Sequence, residues 1–484
     1  MKDAPLPPAG DRRNKLLLFL IGQNLMLLNY VLIRQMTISF STTETSALIM
    51  ALAYFSGISL GYLRPDRITP ALCRRLLPFF MVVQIALIAG GPLLARALVV
   101  RAGTTAAYVV VFVLTTLGST SLYSVFLPNL IGSDDQSTRR YYSAEVLGSL
   151  AGILLLPGLS WAGMVATHAV YLVSFLAIAL LLGSRPLALG AMAALAAAFV
   201  IASDAIDKRA SAALYEEDLG EGAAVRVVYT RYSPYHKVEV AETARGARLL
   251  LLDGQIQFDP SWHADYSYFV AEYPARLLGR PTVCVAGCGS MSTVGRIGAV
   301  AESIHIVDLD QAVFETSRDF FRDFNRLGEL GNWTFESDDA KHFFATTGRA
   351  FDLIIDDIPP ARTRQVALTY TKEFFALVRS RLTPRGIFSL PTLVSVRSKR
   401  SAYGRRILAT LADVFDQVVV LTVHGSSYCF ATGKGLSLDE ALLRGAIDHP
   451  DAASVRIMLP DEVKLHVQGT TVISTDNMAD LINE

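Results

Sequence analysis

The sequence predicts a multi-pass α-helical membrane domain followed by an α/β domain of the doubly wound, Rossmann-like kind, with a small β-hairpin subdomain between them. Three observations carry this reading. Apolar stretches recur through residues 16–201, most of the charge falls after Ser203, and beyond Pro281 short apolar strands alternate with helical stretches around a glycine turn.

At 484 residues the chain exceeds one ordinary core, and about 100–200 residues per domain gives two or three units. Hydrophobic residues make up 52% and charged residues 18%, an average over two unlike populations. Lys plus Arg equals Asp plus Glu at 44 each, so no global field favours a polyanion, and no nucleic acid partner is expected. Cys73, Cys284, Cys288 and Cys429 form no CxxC and no Cys/His cluster at zinc spacing. Cys284 and Cys288, on either side of a strand end and its turn, read as small packing residues, and no metal is expected.

The apolar stretches lie at about 16–33, 47–63, 77–100, 106–131, 146–164, 170–182 and 187–201. A spanning helix needs about 20 mostly apolar residues, so six or seven spans are expected, with the short, Ala-rich last stretch the weakest. The leader is not read as a cleavable signal, because more spans follow. Arg12 and Arg13, then Arg64, Arg67, Arg74 and Arg75, then Arg139 and Arg140, then Arg185 sit in alternate loops, which places the N-terminus in the cytoplasm. Arg96 and Arg101 run against that orientation, and seven spans would put the second half outside. Glu145 is the membrane-domain candidate for function if it lies inside its helix, and a solvated residue if it lies at the headgroups. Asn24 and Asn29 read as helix-to-helix hydrogen bonds.

From about Asp204 the pattern turns to period-two runs at 225–229 and 237–241, then 249–252 closed by Asp253-Gly254, which read as hairpins. Beyond Pro281 the runs 283–286, 305–307, 353–355 and 387–390 alternate with helices, the order of a doubly wound parallel sheet. The expected domains are therefore 1–205 (membrane), 206–280 (β-hairpin), 281–440 (nucleotide-binding) and 441–484 (C-terminal tail).

Residues 282–290 read Thr-Val-Cys-Val-Ala-Gly-Cys-Gly-Ser, a buried strand ending in a glycine turn. About twenty residues on, Asp308 ends a second strand. Glycine admits close backbone approach to a nucleotide and the acid can accept ribose hydroxyl protons, so Gly287, Gly289 and Asp308 are expected contacts. Asp338, Asp339 and Ala340 follow a third strand, where an acid serves either an adenine or a helix N-cap. Asp356 and Asp357 end a fourth strand, at the carboxyl edge where open α/β sheets hold ligands. Buried carboxylates are costly without cause.

The order of Leu252-Asp-Gly-Gln-Ile-Gln257, the Gly287 turn, Val307-Asp-Leu-Asp310, Asp339-Ala340, Asp352-Leu-Ile-Ile-Asp-Asp357, Leu368-Thr-Tyr-Thr-Lys-Glu-Phe374, Leu382-Thr-Pro-Arg-Gly386 and Ser427-Tyr-Cys-Phe-Ala-Thr-Gly433 resembles the spermidine synthases, the polyamine aminopropyltransferase family. The likeness covers about 225–433. Tyr141-Tyr-Ser-Ala-Glu-Val-Leu-Gly-Ser-Leu-Ala-Gly152 is similar to the glycine-spaced helix of membrane-embedded members.

The resemblance implies a spermidine synthase-type, methyltransferase-like fold. It also implies decarboxylated S-adenosylmethionine as aminopropyl donor and an amine such as putrescine as acceptor. It assigns Asp308 to the ribose, Asp339 with Ala340 to the adenine, Asp356 or Asp357 to the reacting end and Tyr370 to the acceptor amine. Gly287, Gly289 and Ser290 would line the donor, and Gln257, Asp265 and His236 the amine side. A multi-pass inner-membrane location with a cytoplasmic catalytic domain follows, with the lipid bilayer as a partner and a homodimer left open.

The sequence departs from the family at four places. After Asp356 or Asp357 no carboxylate stands at the second position of the family's Asp-x-x-Asp-Pro, taken as the amine's base. Ser290 replaces an Asp of the glycine loop, Phe269-Val270 a His-Glu pair, and His236 the Gln of a Tyr-Gln pair. Asp265 and Glu272 could supply replacement carboxylates. Methyl transfer from intact S-adenosylmethionine and a non-catalytic polyamine or nucleotide sensor or transporter are the alternatives.

Overall fold

The computed structural model describes residues 11–40, 43–63, 69–102, 106–130, 135–219, 224–287, 289–361, 363–392, 396 and 402–483. Cys288, Arg64 and Arg67, named above, lie outside them. The chain forms two compact units, 1–246 with 251–255, and 247–250 with 256–484.

The first unit is built on α1 (Asp11–Phe40), α2 (Thr43–Leu63), α3 (Pro70–Ala102), α4 (Ala106–Ser124), α5 (Phe126–Leu130), α6 (Asp135–Ala162), α7 (Met164–Leu181) and α8 (Pro186–Asp218). Among the described residues six helices are long and apolar enough to cross a membrane: Asp11–Met36, Ala71–Gly91, Val109–Leu130, Thr138–Ala162, Met164–Leu181 and Pro186–Glu216. The Ala-rich stretch expected to be weakest is therefore one of the six, because its Ala residues carry the helix on through Ser203 to Asp218, past the expected boundary at 205. The short one is Ala47–Leu63.

Helices α1 and α6 touch backbone to backbone. A Cβ on Gly148 would stand 1.9 Å from Phe19 O, and one on Gly22 would stand 2.1 Å from Glu145 O. Hydrogen at these positions is what lets the axes close, since apolar surroundings give little other drive to helix pairing. Glu145 is buried within α6 and accepts a hydrogen bond from Tyr62 at 3.1 Å, so it is not a headgroup residue solvated by water. Asn24 donates to Tyr123 Oη at 3.0 Å, the expected interhelical bond, whereas Asn29 Oδ1 finds no partner among the described residues.

Strands β1 (Val225–Tyr232), β2 (Lys237–Thr243), β3 (Arg248–Leu252) and β4 (Gln255–Phe258) form a sheet in that order. Asp253 and Gly254 both take positive φ, 48° and 79°, as a two-residue hairpin turn requires.

The second unit holds an eight-stranded sheet ordered β12-β10-β11-β9-β8-β5-β6-β7. Its strands are β5 (Thr282–Ala286), β6 (Ser303–Asp308), β7 (Trp333–Ser337), β8 (Phe351–Asp356), β9 (Leu382–Pro391), β10 (Gln417–Val423), β11 (Ser426–Thr432) and β12 (Arg456–Met458). Strands β5 to β9 pair in parallel, but β11 pairs antiparallel with β9 and β10, and β12 antiparallel with β10. The sheet is thus mixed rather than wholly parallel. Only His424 and Gly425, both at positive φ, separate β10 from β11, and two residues cannot make a parallel crossover. Nor is the segment after 440 a tail. It supplies β12, and Ile473 and Leu481 enter the hydrophobic core of this unit.

Replacing Gly148 by Leu is expected to weaken the detergent-solubilised protein by roughly 1–3 kcal/mol or more through overpacking. Gly190→Leu, at a helical glycine with nothing within 4 Å, is the control and should leave the thermal midpoint in place. Equal midpoints for both variants would refute the contact.

Candidate active site

The order in the second unit reverses at β5, between β6 on one side and β8 on the other, which is where an open α/β sheet opens a crevice at its carboxyl edge. Gly287 leaves β5 there with φ +88°, its N–H bonded to Val307 O at 2.8 Å. A Cβ on it would stand 2.6 Å from Asp357 O. The end of β8 therefore presses against the turn, held by a bond from Asp357 N–H to Ala286 O at 2.8 Å. Gly289, at φ +42°, has nothing within 4 Å of its notional Cβ, so the turn borders open space. Ser290 is buried, and its Oγ has no partner among the described residues, while its carbonyl accepts from Asn325 at 2.7 Å.

Asp308, at the end of β6, accepts from the Asp310 N–H at 2.8 Å, and its carbonyl accepts from Asp338 N–H at 3.2 Å. Asp339 caps the helix Ala340–Thr346 by accepting from His342 N–H at 3.1 Å. Asp338 takes the His342 ring at 2.7 Å, which holds that imidazole above its ordinary pKa. The N-cap reading of Asp339 is thus realised, and it leaves Ala340 as the first helical residue.

Asp356 and Asp357 carry the sharpest electrostatics. Asp356 is 1% exposed; one oxygen accepts from Ile358 N–H at 3.1 Å and Oδ2 has no partner among the described residues. Burial pushes its carboxyl up to about 8 against that one bond, and the neighbouring Asp357 charge adds to the rise. Asp357 accepts from Tyr266 Oη at 2.6 Å and from Thr293 Oγ1 at 2.8 Å. Burial still raises it, to about 6, because the two hydroxyls offset only part of the desolvation. Both carboxyls are thus raised, Asp356 further than Asp357. Tyr266 and Thr293 were not foreseen, because nothing in their local sequence marks them.

Tyr370 is buried, and its hydroxyl donates to the carbonyls of Ile358 at 3.4 Å and Pro359 at 3.2 Å. It pins the loop behind the acid pair, where the resemblance assigns it to an amine. Glu272 is closed by ion pairs to Arg276 and Arg296, so it is no replacement for a lost acid. His236 lies in the first unit, 2.8 Å from Asp253 Oδ2. Gln257 sits half-buried on β4, and Asp265 stands 3.3 Å from His449. The structure therefore brings Gly287, Asp308, Asp356, Asp357 and the Tyr370-bound loop together at the carboxyl ends of β5, β6 and β8.

Two observations fit a bound nucleoside with an alkyl tail: the open space at Gly289 and the buried oxygens of Ser290 and Asp356 that have no partner among the described residues. Residues 281–429 match the family described as the spermine/spermidine synthase domain. The chain is 26% identical over 171 residues to polyamine aminopropyltransferase 1 of Aquifex aeolicus, covering 34% of this chain and 60% of that protein. It is 27% identical to the polyamine aminopropyltransferase of Aeropyrum pernix, covering 42% and 66%. It is 26% identical to that of a Synechococcus strain, covering 46% and 73%. A spermidine synthase crystallised with the transition-state analogue AdoDATO superposes with a TM-score of 0.41 at 19% identity, covering 50% of this chain and 89% of that one. Residues 281–429 are accordingly similar to a spermine/spermidine synthase domain, and the chain spans less than two thirds of the length of the first polyamine aminopropyltransferases it matches.

Proposed function

We propose that the chain is a membrane-bound aminopropyltransferase, its catalytic domain on the cytoplasmic side of the inner membrane. It would move the aminopropyl group of decarboxylated S-adenosylmethionine to an amine such as putrescine or another polyamine. The observation that carries this is the pair of adjacent acids, buried Asp356 and half-buried Asp357, held against the Gly287 turn.

The donor brings a sulfonium whose adjacent carbon is electrophilic. Asp308 would hold the ribose, while Gly287 and Gly289 admit the nucleoside and Ser290 Oγ meets the tail. The acceptor's lone pair forms the new C–N bond as the C–S bond breaks, its electron pair going to sulfur. The amine's proton then passes to Asp357, which Tyr266 and Thr293 keep oriented and which retains lone pairs for it. Asp356, mostly protonated, adds little second charge to repel the first.

Purified full-length protein with decarboxylated donor and a panel of amines should yield a product heavier by one aminopropyl unit, read by mass spectrometry. A methylated product from intact S-adenosylmethionine, or binding of neither nucleoside in calorimetry, would overturn the reading. Asp357→Asn should lower kcat by ~10²–10⁴ as loss of a general base. In the wild type kcat should fall as pH drops through about 6, and that limb should vanish in the variant.

Asp356 has a folded pKa above its unfolded value, so its protonated form favours the fold and stability drains as pH rises from about 4 through about 8. Asp356→Asn should therefore gain thermal stability over wild type at pH 8.5 and show less gain at pH 5. A gain of the same size at both values would show that the carboxyl does not titrate there.

The six apolar helices support the membrane placement. Expressed protein should resist carbonate extraction and dissolve in detergent; release by carbonate alone would remove the bilayer from the proposal.

A further inference from the structure

Three segments far apart in the sequence bring metal-binding donors together in the second unit. Asp265 comes from the helix Pro260–Ser267, His424 from the two-residue turn between β10 and β11, and Asp451 from the segment before β12. One donor atom from each lies within 4.8 Å of the others, with His424 Nε2 3.7 Å from Asp451 Oδ1. A fourth residue, His449, stands between the two acids, Nε2 3.3 Å from Asp265 Oδ1 and Nδ1 3.6 Å from Asp451 Oδ2.

We propose that Asp265, His424 and Asp451 bind a first-row transition dication, Zn²⁺ in the first instance, with His449 as the positioning residue behind them. Two carboxylates here face one another with only imidazoles for company; among the described residues no Lys or Arg pairs with either acid. A dication supplies the charge that this arrangement lacks.

His449 is arranged as a metal site's outer support is. The Asp451 N–H donates to Nδ1 at 3.3 Å, which leaves the ring proton on Nε2, beside Asp265 Oδ1. Its side chain is only 9% exposed and lies against Tyr268 at 4.7 Å and Phe269 at 5.0 Å, so the ring cannot swing away. A ring fixed in one tautomer and aimed at a ligand carboxylate holds that ligand in one orientation.

The donor set selects the class of ion. One imidazole and two carboxylates suit zinc, iron or nickel over the all-oxygen shell that Mg²⁺ or Ca²⁺ prefers. Ligands at about 2.0–2.2 Å from a shared ion lie at most about 4.4 Å apart, so closure asks for a small rotation of Asp265 and His424, both exposed. Three protein ligands leave a position open for water or an incoming donor.

The test uses the full chain in detergent, free of any affinity tag, stripped with chelator and titrated with Co²⁺. Visible d–d bands should saturate at one equivalent and be discharged by Zn²⁺ but not by Mg²⁺. His424→Ala and Asp451→Asn should each weaken Co²⁺ binding at least tenfold, and His449→Gln should weaken it roughly 10–100-fold through orientation alone. Circular dichroism of each variant should match the wild type. No saturable Co²⁺ spectrum, variants that bind as the wild type does, or displacement by Mg²⁺ at the same concentration as Zn²⁺ would overturn the site. The readout involves no turnover, so its failure and that of the aminopropyltransferase reading are separate events.

Discussion

The site in the second unit depends on one close approach: the backbone of Asp357 pressed against the Cα of Gly287. Any side chain at residue 287 would meet Asp357 O at 2.6 Å, so β5 and β8 could not end side by side. Because they do, a glycine turn and two carboxylates share a crevice edge, and the loop after Asp357 starts where Tyr370 can fasten it. Moving the strand ends apart by a methyl group's width would separate the glycine turn from the acid pair without disturbing either strand.

That approach also sets the electrostatics. Strand ends packed this tightly exclude water, and the cost falls on the carboxylates that end β8. The protein meets the cost unequally: two hydroxyls for Asp357, one amide for Asp356. Adjacent acids in one sequence thus acquire different proton affinities.

Much of this was legible in the sequence for physical reasons. Period-two patterns and the Asp253-Gly254 turn fixed the first hairpins, and the glycine turn with Asp308 and the Asp pair marked the carboxyl edge of the sheet. What stayed hidden depends on contacts between distant residues. Tyr266 and Thr293 have no local signature, since only the fold brings them to Asp357. Glu272 looked available because sequence does not reveal Arg296 beside it. The antiparallel edge went unseen because His424-Gly425 is a weaker hairpin signal than Asn-Gly, although both residues adopt the positive φ it requires. The helix α8 outran its apolar run because alanine favours helix whether the neighbouring side chains are greasy or charged.

Residues Tyr268–Glu272 form a π-helical turn between two α-helical segments, in the stretch where the family's His-Glu pair reads Phe269-Val270. A π turn holds one more residue than the α turn it interrupts, so everything after it is rotated by about 100° from where an unbroken helix would put it. Here that rotation seats Tyr273 in the core, its hydroxyl bonded to Leu443 O at 2.9 Å, while Phe269 stacks on Tyr428. Gain or loss of a single residue in this turn would re-phase the wall without touching strands β5, β6 and β8. In such a scaffold the shape of that wall can drift by insertion and deletion as readily as by substitution.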